Sequence, residues 1–163
     1  MTLVLYRIDD RLIHGQVVVG WGQPLDVGFI VLVDDRVASS EWEQELYRMG
    51  VPPEMEIHFH AVRDVVPKLT TYEHDPRRGI LLTADVETMR RLTEHVEVPA
   101  VNIGGLHHRA GRVQRLRYVF LDPAEEDALR AIAARGVPVT AQDVPSARPV
   151  ALGDVLSRDG GAS

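Results

Sequence analysis

The chain is expected to fold as an α/β protein: three layers, α/β/α, around a mostly parallel central sheet of about six or seven strands. Three observations carry that expectation. Short apolar runs of strand length alternate with segments of helical periodicity, the pattern of strands joined by helical crossovers. Several of the runs, such as Val27-Gly28-Phe29-Ile30-Val31-Leu32-Val33, are apolar without interruption, as strands covered on both faces are. The 163 residues, 45% hydrophobic and 26% charged, have the size and balance of a single globular domain, residues 1–163.

Taken in order, Leu3-Val4-Leu5-Tyr6 is a short buried strand, followed by a charged loop and a short helix over residues 16–22 that Pro24 helps to end. The run 27–33 is the second strand and stops at the acidic turn Asp34-Asp35-Arg36. Ser40 caps the next helix, with Glu43 three residues on to complete a capping-box pattern. Trp42, Leu46 and Met49 form its apolar stripe. Gly50 and Pro52-Pro53 close it. Residues 56–61 alternate with period two, a third strand. Residues 62–72 form a helix that Pro67 distorts or breaks, and the polar stretch 73–79 is a loop. Residues 79–83 are a fourth strand. The helix 86–96 aligns Met89, Leu92 and Val96, and 98–103 is the fifth strand. Gly104-Gly105 then gives a sharp turn that glycine's tolerance of positive φ permits. Residues 117–121 read as a sixth strand, and Asp122-Pro123 opens a helix with proline in a permitted first-turn position. Ala128, Leu129, Ile132 and Ala133 are its buried stripe, and Gly136 ends it. The strand 137–142 is placed at an edge, because Pro138 cannot donate a ladder hydrogen bond. Residues 150–156 form a last short turn of helix, and 159–163 a frayed tail.

Composition narrows the function. Without cysteine there is neither a disulfide framework nor a thiolate metal site. No signal-like amino terminus and no membrane-length apolar run is present, so a cytoplasmic location is expected. A net charge of −6 argues against nucleic-acid binding. His58 and His60 share a strand face at a spacing metals sometimes use. A zinc site would need further ligands, for which His74, His107 and His108 are candidates; edge or surface histidines are the simpler reading, and no metal is expected.

Chemistry concentrates in one stretch, Arg7-Ile8-Asp9-Asp10-Arg11-Leu12-Ile13-His14-Gly15-Gln16-Val17. His14 falls between a strand's carboxyl end and a helix opening near Gln16, where free backbone N–H groups and the helix dipole favour an anion. Arg11 adds a permanent cation with a planar fork suited to phosphate. On position alone such a histidine is more often a loop or capping residue, and Asp9, Asp10 and Arg11 read as a solvated turn. The basic run from His107 to Arg112 reads first as a solvated loop and second as a phosphate contact.

The segment closely resembles the active-site loop of the IIB subunits of the mannose/fructose/sorbose class of bacterial sugar phosphotransferase systems. Val33-Asp34-Asp35 with Val37-Ala38, Asn102-Ile103-Gly104-Gly105, and Val144-Pro145-Ser146-Ala147-Arg148-Pro149-Val150 extend the resemblance over nearly all of the chain. It implies a transferase component whose His14 accepts a phosphoryl group from a phosphohistidine on a IIA partner protein or domain. The group then passes to a sugar bound by a membrane-embedded IIC/IID complex, through which the protein would sit at the inner face of the membrane. Imidazole is a nucleophile near physiological pH, and the loose transition state needs mainly positioning and positive charge. Arg11, Asp10, Gly15 and Gln16 would hold the phosphate, with Asp10 orienting Arg11 or the imidazole. Asp9, Asp35 and Arg7 would support the loop, and no cofactor is implied. Family members often carry other residues at His107 and His108, which are therefore poor catalytic candidates. Arg7, Arg11, Arg109 and Arg112 are expected to form a positive rim for the donor, and Trp21 to pack inward. A regulatory phosphohistidine protein uncoupled from transport is the alternative. The sequence names neither the sugar nor the oligomeric state, a homo-oligomer included.

Overall fold

The computed structural model describes residues 2–158; the tail expectation for 159–163 lies outside the described residues. Seven strands form the main sheet: β1 (Leu3–Ile8), β2 (Val27–Val33), β3 (Glu56–His60), β4 (Arg78–Thr83), β5 (Val101–Ile103), β8 (Val139–Ala141) and β9 (Val150–Ala151). Their order is β3-β2-β4-β1-β5-β8-β9, parallel except for the β8–β9 pair. The α/β class and the mostly parallel sheet are as the alternating pattern requires. β1, the central strand of the seven, lies between β4 and β5 and carries the charged loop at its carboxyl end.

Both faces of the sheet are buried, and the pleat sorts the apolar runs between them. Phe29, Val31, Val33, Leu81 and Ile8 pack beneath Val62 and Val65 of α3 (Val62–Val65), Met89 and Leu92 of α5 (Val86–Thr93), and Leu129 and Ile132 of α6 (Pro123–Ala134). Ile30, Leu32, Ile80 and Leu82 face the other way, against Leu12, Val17, Val18 and Trp21. The charged loop and the helical turn after it are therefore themselves part of the second layer. Pro67 does break the helix expected over 62–72: α3 gives way to a 3-10 turn at Val66–Lys68 and then to α4 (Leu69–Glu73). Asp122 and Glu125 form a reciprocal capping box at the start of α6.

Four expectations are corrected. Residues 117–121 do not join the main sheet: Arg117-Tyr118 is a turn between β6 (Val113–Leu116) and β7 (Val119–Leu121), an antiparallel hairpin that lacks the usual glycine or asparagine signal. The strand after Pro138 is not an edge, because the proline precedes the ladder and β9 covers its open side. At Ser40 only half of the capping box forms, since Ser40 accepts from the Glu43 N–H while the Glu43 carboxylate pairs with Arg36.

The fourth correction is the apolar stripe of α2 (Glu41–Arg48), which faces solvent, with Trp42 73%, Leu46 53% and Met49 82% exposed. The helix instead turns Tyr47 and Gln44 inward, and the Gln44 amide donates to the Val37 and Ala38 carbonyls of α1 (Asp35–Ala38). Periodicity shows that a stripe exists, not that a neighbour covers it. Trp42→Ser should accordingly change folding stability by less than about 0.5 kcal/mol in urea denaturation; a loss of a few kcal/mol would mean the indole is buried. Among the described residues no helix is long and apolar enough to cross a membrane.

Candidate functional site

The loop after β1 is held in an uncommon shape. Leu12 has φ 57°, a left-handed conformation unfavourable for a residue with a Cβ, and its side chain is fully buried in the second core layer. Burial of that side chain offsets the local strain. The turn that follows, Gln16–Trp21, is π-helical, with Gly15 at its start and no side-chain cap, a form found often at functional sites.

These constraints place the His14 ring, 18% exposed, with its two nitrogens in different surroundings. Nδ1 accepts the backbone N–H of Gln16 at 3.2 Å. Nε2 is buried, 3.4 Å from Oδ2 of Asp9, within ion-pair range but not aligned as a hydrogen bond. An accepting Nδ1 leaves the proton of the neutral ring on Nε2, toward the carboxylate.

Asp9 is the hub of the loop. It is fully buried and receives Nε and Nη2 of Arg11 at 3.1 Å each, the Arg11 backbone N–H at 3.2 Å, and Nη2 of Arg7 at 3.4 Å. Burial pushes its carboxyl up, but the adjacent His14 ring, the hydrogen bonds from Arg11 and the charge of Arg7 outweigh burial, and it is held below the ordinary carboxylate range. Arg7 is equally buried; burial pulls its guanidinium down and the Asp9 charge opposes that. Its other donors reach the Asn102 side chain and the carbonyls of Gln142 at 2.8 Å and Asp143 at 3.1 Å, and its guanidinium lies 4.7 Å from the Trp21 ring centre. Trp21 thus packs inward. Gly104 and Gly105 are needed for close approach: a methyl at Gly104 would collide with the Arg7 guanidinium, and one at Gly105 would press on Arg11 at 3.1 Å. Neither glycine has the positive φ expected of it.

The loop residues singled out from sequence separate into two groups. Arg7, Asp9, Arg11, Gly15 and Gln16 gather around His14. Asp10 turns away: its carboxylate accepts the His107 N–H at 2.8 Å and meets His107 Nδ1 at 2.6 Å, so it orients neither Arg11 nor the imidazole. Asp35 accepts the Val62 N–H at 2.9 Å and pairs with Arg91 at 2.7 Å, outside the cluster. Arg7 and Arg112 do not form a rim, since both are buried; Arg112 binds Glu125 through two bonds of 2.9 and 2.6 Å. Arg109 is exposed, 3.8 Å from Glu125. His58 pairs with Glu56, and His60 with the Tyr72 hydroxyl.

The sequence reading missed Gln142 and Asp143 and gave no site role to Asn102, which it matched only as part of a family motif; the three close the cluster from β5 and from the connection after β8. Two signals pointed that way. A polar side chain inside the apolar run of β5 needs a buried partner, and an arginine flanked by Tyr6 and Ile8 needs a carboxylate and several acceptors.

A family profile described as "PTS system sorbose subfamily IIB component" matches residues 3–162. The chain is 34% identical over 151 residues to the N-acetylgalactosamine-specific phosphotransferase enzyme IIB component 1 of Escherichia coli K12, covering 88% of this chain and 92% of that one. It is 30% identical over 159 residues to the mannose-specific EIIAB component of the same strain, covering 97% of this chain and 49% of the relative, so it spans about half of that protein's length. The crystal structure of the IIBSor domain of the sorbose permease from Klebsiella pneumoniae superposes with a TM-score of 0.87 at 29% identity, covering 96% of each chain.

Proposed function

The chain belongs to the sorbose subfamily of phosphotransferase-system IIB components, and from that premise we propose that Nδ1 of His14 accepts the phosphoryl group and passes it on to a sugar. IIB components are phosphoryl-transfer subunits of sugar phosphotransferase systems, and they work between a IIA donor and IIC/IID membrane partners. The observation that carries the assignment is the asymmetry of the ring. Nε2 is buried against Asp9, whereas Nδ1 lies at the open start of a helical turn beside exposed Gly15.

In this reading the Nδ1 lone pair attacks phosphorus while the N–P bond of the donor's phosphohistidine breaks, its electron pair leaving with the donor imidazole. The proton on Nε2 stays, and the resulting phosphoimidazolium keeps its positive charge against the Asp9 carboxylate. As phosphorus approaches, the Gln16 N–H moves from nitrogen to a phosphoryl oxygen, one of the donors a helix start supplies. Arg11 gives Nε and Nη2 to Asp9 and has Nη1 available for a second oxygen. In the second transfer a sugar hydroxyl attacks the same phosphorus, the N–P electron pair returns to Nδ1 of His14, and the hydroxyl proton passes to solvent. The longer relatives' donor domain, the sugar, and the site at the inner face of the membrane are part of the same proposal.

The test is incubation with a phosphorylated IIA protein of the mannose class, followed by intact-mass measurement. One phosphoryl group, lost in mild acid and mapped to His14, is expected; phosphate on another residue, or none, overturns the assignment. Arg11→Ala should slow acceptance roughly 100-fold, as loss of one preorganised donor to a developing charge does, in a protein that still folds because Arg7 continues to neutralise Asp9. Acceptance by Arg11→Ala at the wild-type rate would remove Arg11 from the transition state.

A further inference from the structure

Asp143 follows β8 in a connection distant in sequence from the histidine loop, yet it binds that loop at several points. Its backbone carbonyl accepts from Arg7 at 3.1 Å, from the Trp21 indole N–H at 3.1 Å and from the Gln16 amide at 3.2 Å. Its carboxylate is divided: Oδ1 takes the Gln16 amide at 2.7 Å, and Oδ2 pairs with exposed Arg117 at 3.1 Å. Gln16 is the residue whose backbone N–H sits on Nδ1 of His14. Its side chain is therefore clamped to a different strand connection while its main chain fixes the imidazole.

We infer that Asp143 is a positioning residue for phosphoryl transfer: through the Gln16 side chain it holds the start of the helical turn in register with His14 and so keeps Nδ1 presented as the acceptor nitrogen. The inference rests on the reading of His14 as the phosphoryl acceptor. Without the carboxylate, Gln16 retains only the longer bond to the Asp143 carbonyl, and the N–H that selects the tautomer is free to drift. Both the orientation of the ring and the location of its proton then become mixtures. The main-chain bonds to Arg7 and Trp21 do not depend on the Asp143 side chain, so the network beneath the loop survives its removal.

The experiment compares Asp143→Ala and Asp143→Asn with wild type in two measurements. The first is the 15N spectrum of the histidine ring in unphosphorylated protein, which reports the tautomer. Wild type and Asp143→Asn should show one tautomer with Nδ1 unprotonated, because asparagine keeps an acceptor for Gln16; Asp143→Ala should show averaging between the two. The second is the rate of phosphorylation by phosphoramidate, a small donor that needs no docking surface. Asp143→Ala should be about 10- to 100-fold slower, the size of effect that misplacement of a reacting group produces, and Asp143→Asn should regain most of the rate. An unchanged His14 spectrum in Asp143→Ala, or a wild-type rate in that variant, overturns the inference, as does an Asp143→Asn protein as impaired as Asp143→Ala. If wild type itself takes no phosphate at His14, the functional reading falls and the spectra alone decide whether Asp143 sets the tautomer.

Discussion

His14→Gln is expected to reduce phosphoryl acceptance to less than about a thousandth of the wild-type rate, the scale on which removal of a catalytic nucleophile is felt. Glutamine is chosen because its amide nitrogen can reach toward the place of ring Nε2 and donate to Asp9, so the buried carboxylate keeps a partner. It supplies no nucleophile. The ring is partly exposed in a loop and contributes little apolar burial, so stability should fall by no more than about 1 kcal/mol. The paired measurement is acid-labile phosphate after incubation with a phosphorylated IIA protein, and urea unfolding of the same sample. Undiminished labelling would send the search to the other six histidines of the chain's seven. Among them, His107 is already engaged with Asp10 and His60 with Tyr72.

The histidine loop was legible because its parts are consecutive: a strand, a charged turn and a helix start lie within a few residues, and resemblance to a known loop reinforced them. The sheet was legible for a related reason, since uninterrupted apolar runs such as 27–33 have to be covered on both faces. What could not be read was direction. Asp9 and Asp10 are identical in composition, and nothing local says which carboxylate turns inward; the left-handed Leu12 and the glycines at 104 and 105 decide it, through a close approach made only in the folded chain. The same limit applies to α2, whose stripe was visible and whose orientation was not. Asp143 and Gln142 are ordinary polar residues in the sequence, Asn102 is marked there only as part of a motif, and all three acquire a role only when β5 pairs with β1 and β8 with β5. The hairpin of β6 and β7 escaped notice because Arg117-Tyr118 carries no turn signature.

The arginine at the floor of the site leads to the other large effect, this time on the fold. Arg7→Met keeps much of the side chain's length and removes its charge, leaving Asp9 buried with Arg11 and the His14 ring as its remaining partners. It also strips donors from Asn102 and from the Gln142 and Asp143 carbonyls. Removing one member of a buried pair costs about 3–5 kcal/mol, because the other charge stays behind uncompensated. The loss should depend on pH in a defined sense. In wild type, Asp9 titrates lower folded than unfolded. The stability it contributes is therefore fully present above its unfolded value, near 4, and is lost as the pH falls from there toward the folded value. In Arg7→Met the balance shifts toward burial, which favours the protonated acid, so acidification weakens the variant less than wild type. Urea unfolding should show the largest difference between the two proteins near neutral pH and a narrowing difference from about pH 5 down to about pH 3. A gap that stays constant over that range would mean that Arg7 supports the fold through its hydrogen bonds to the β5 and β8 region and not through the charge on Asp9.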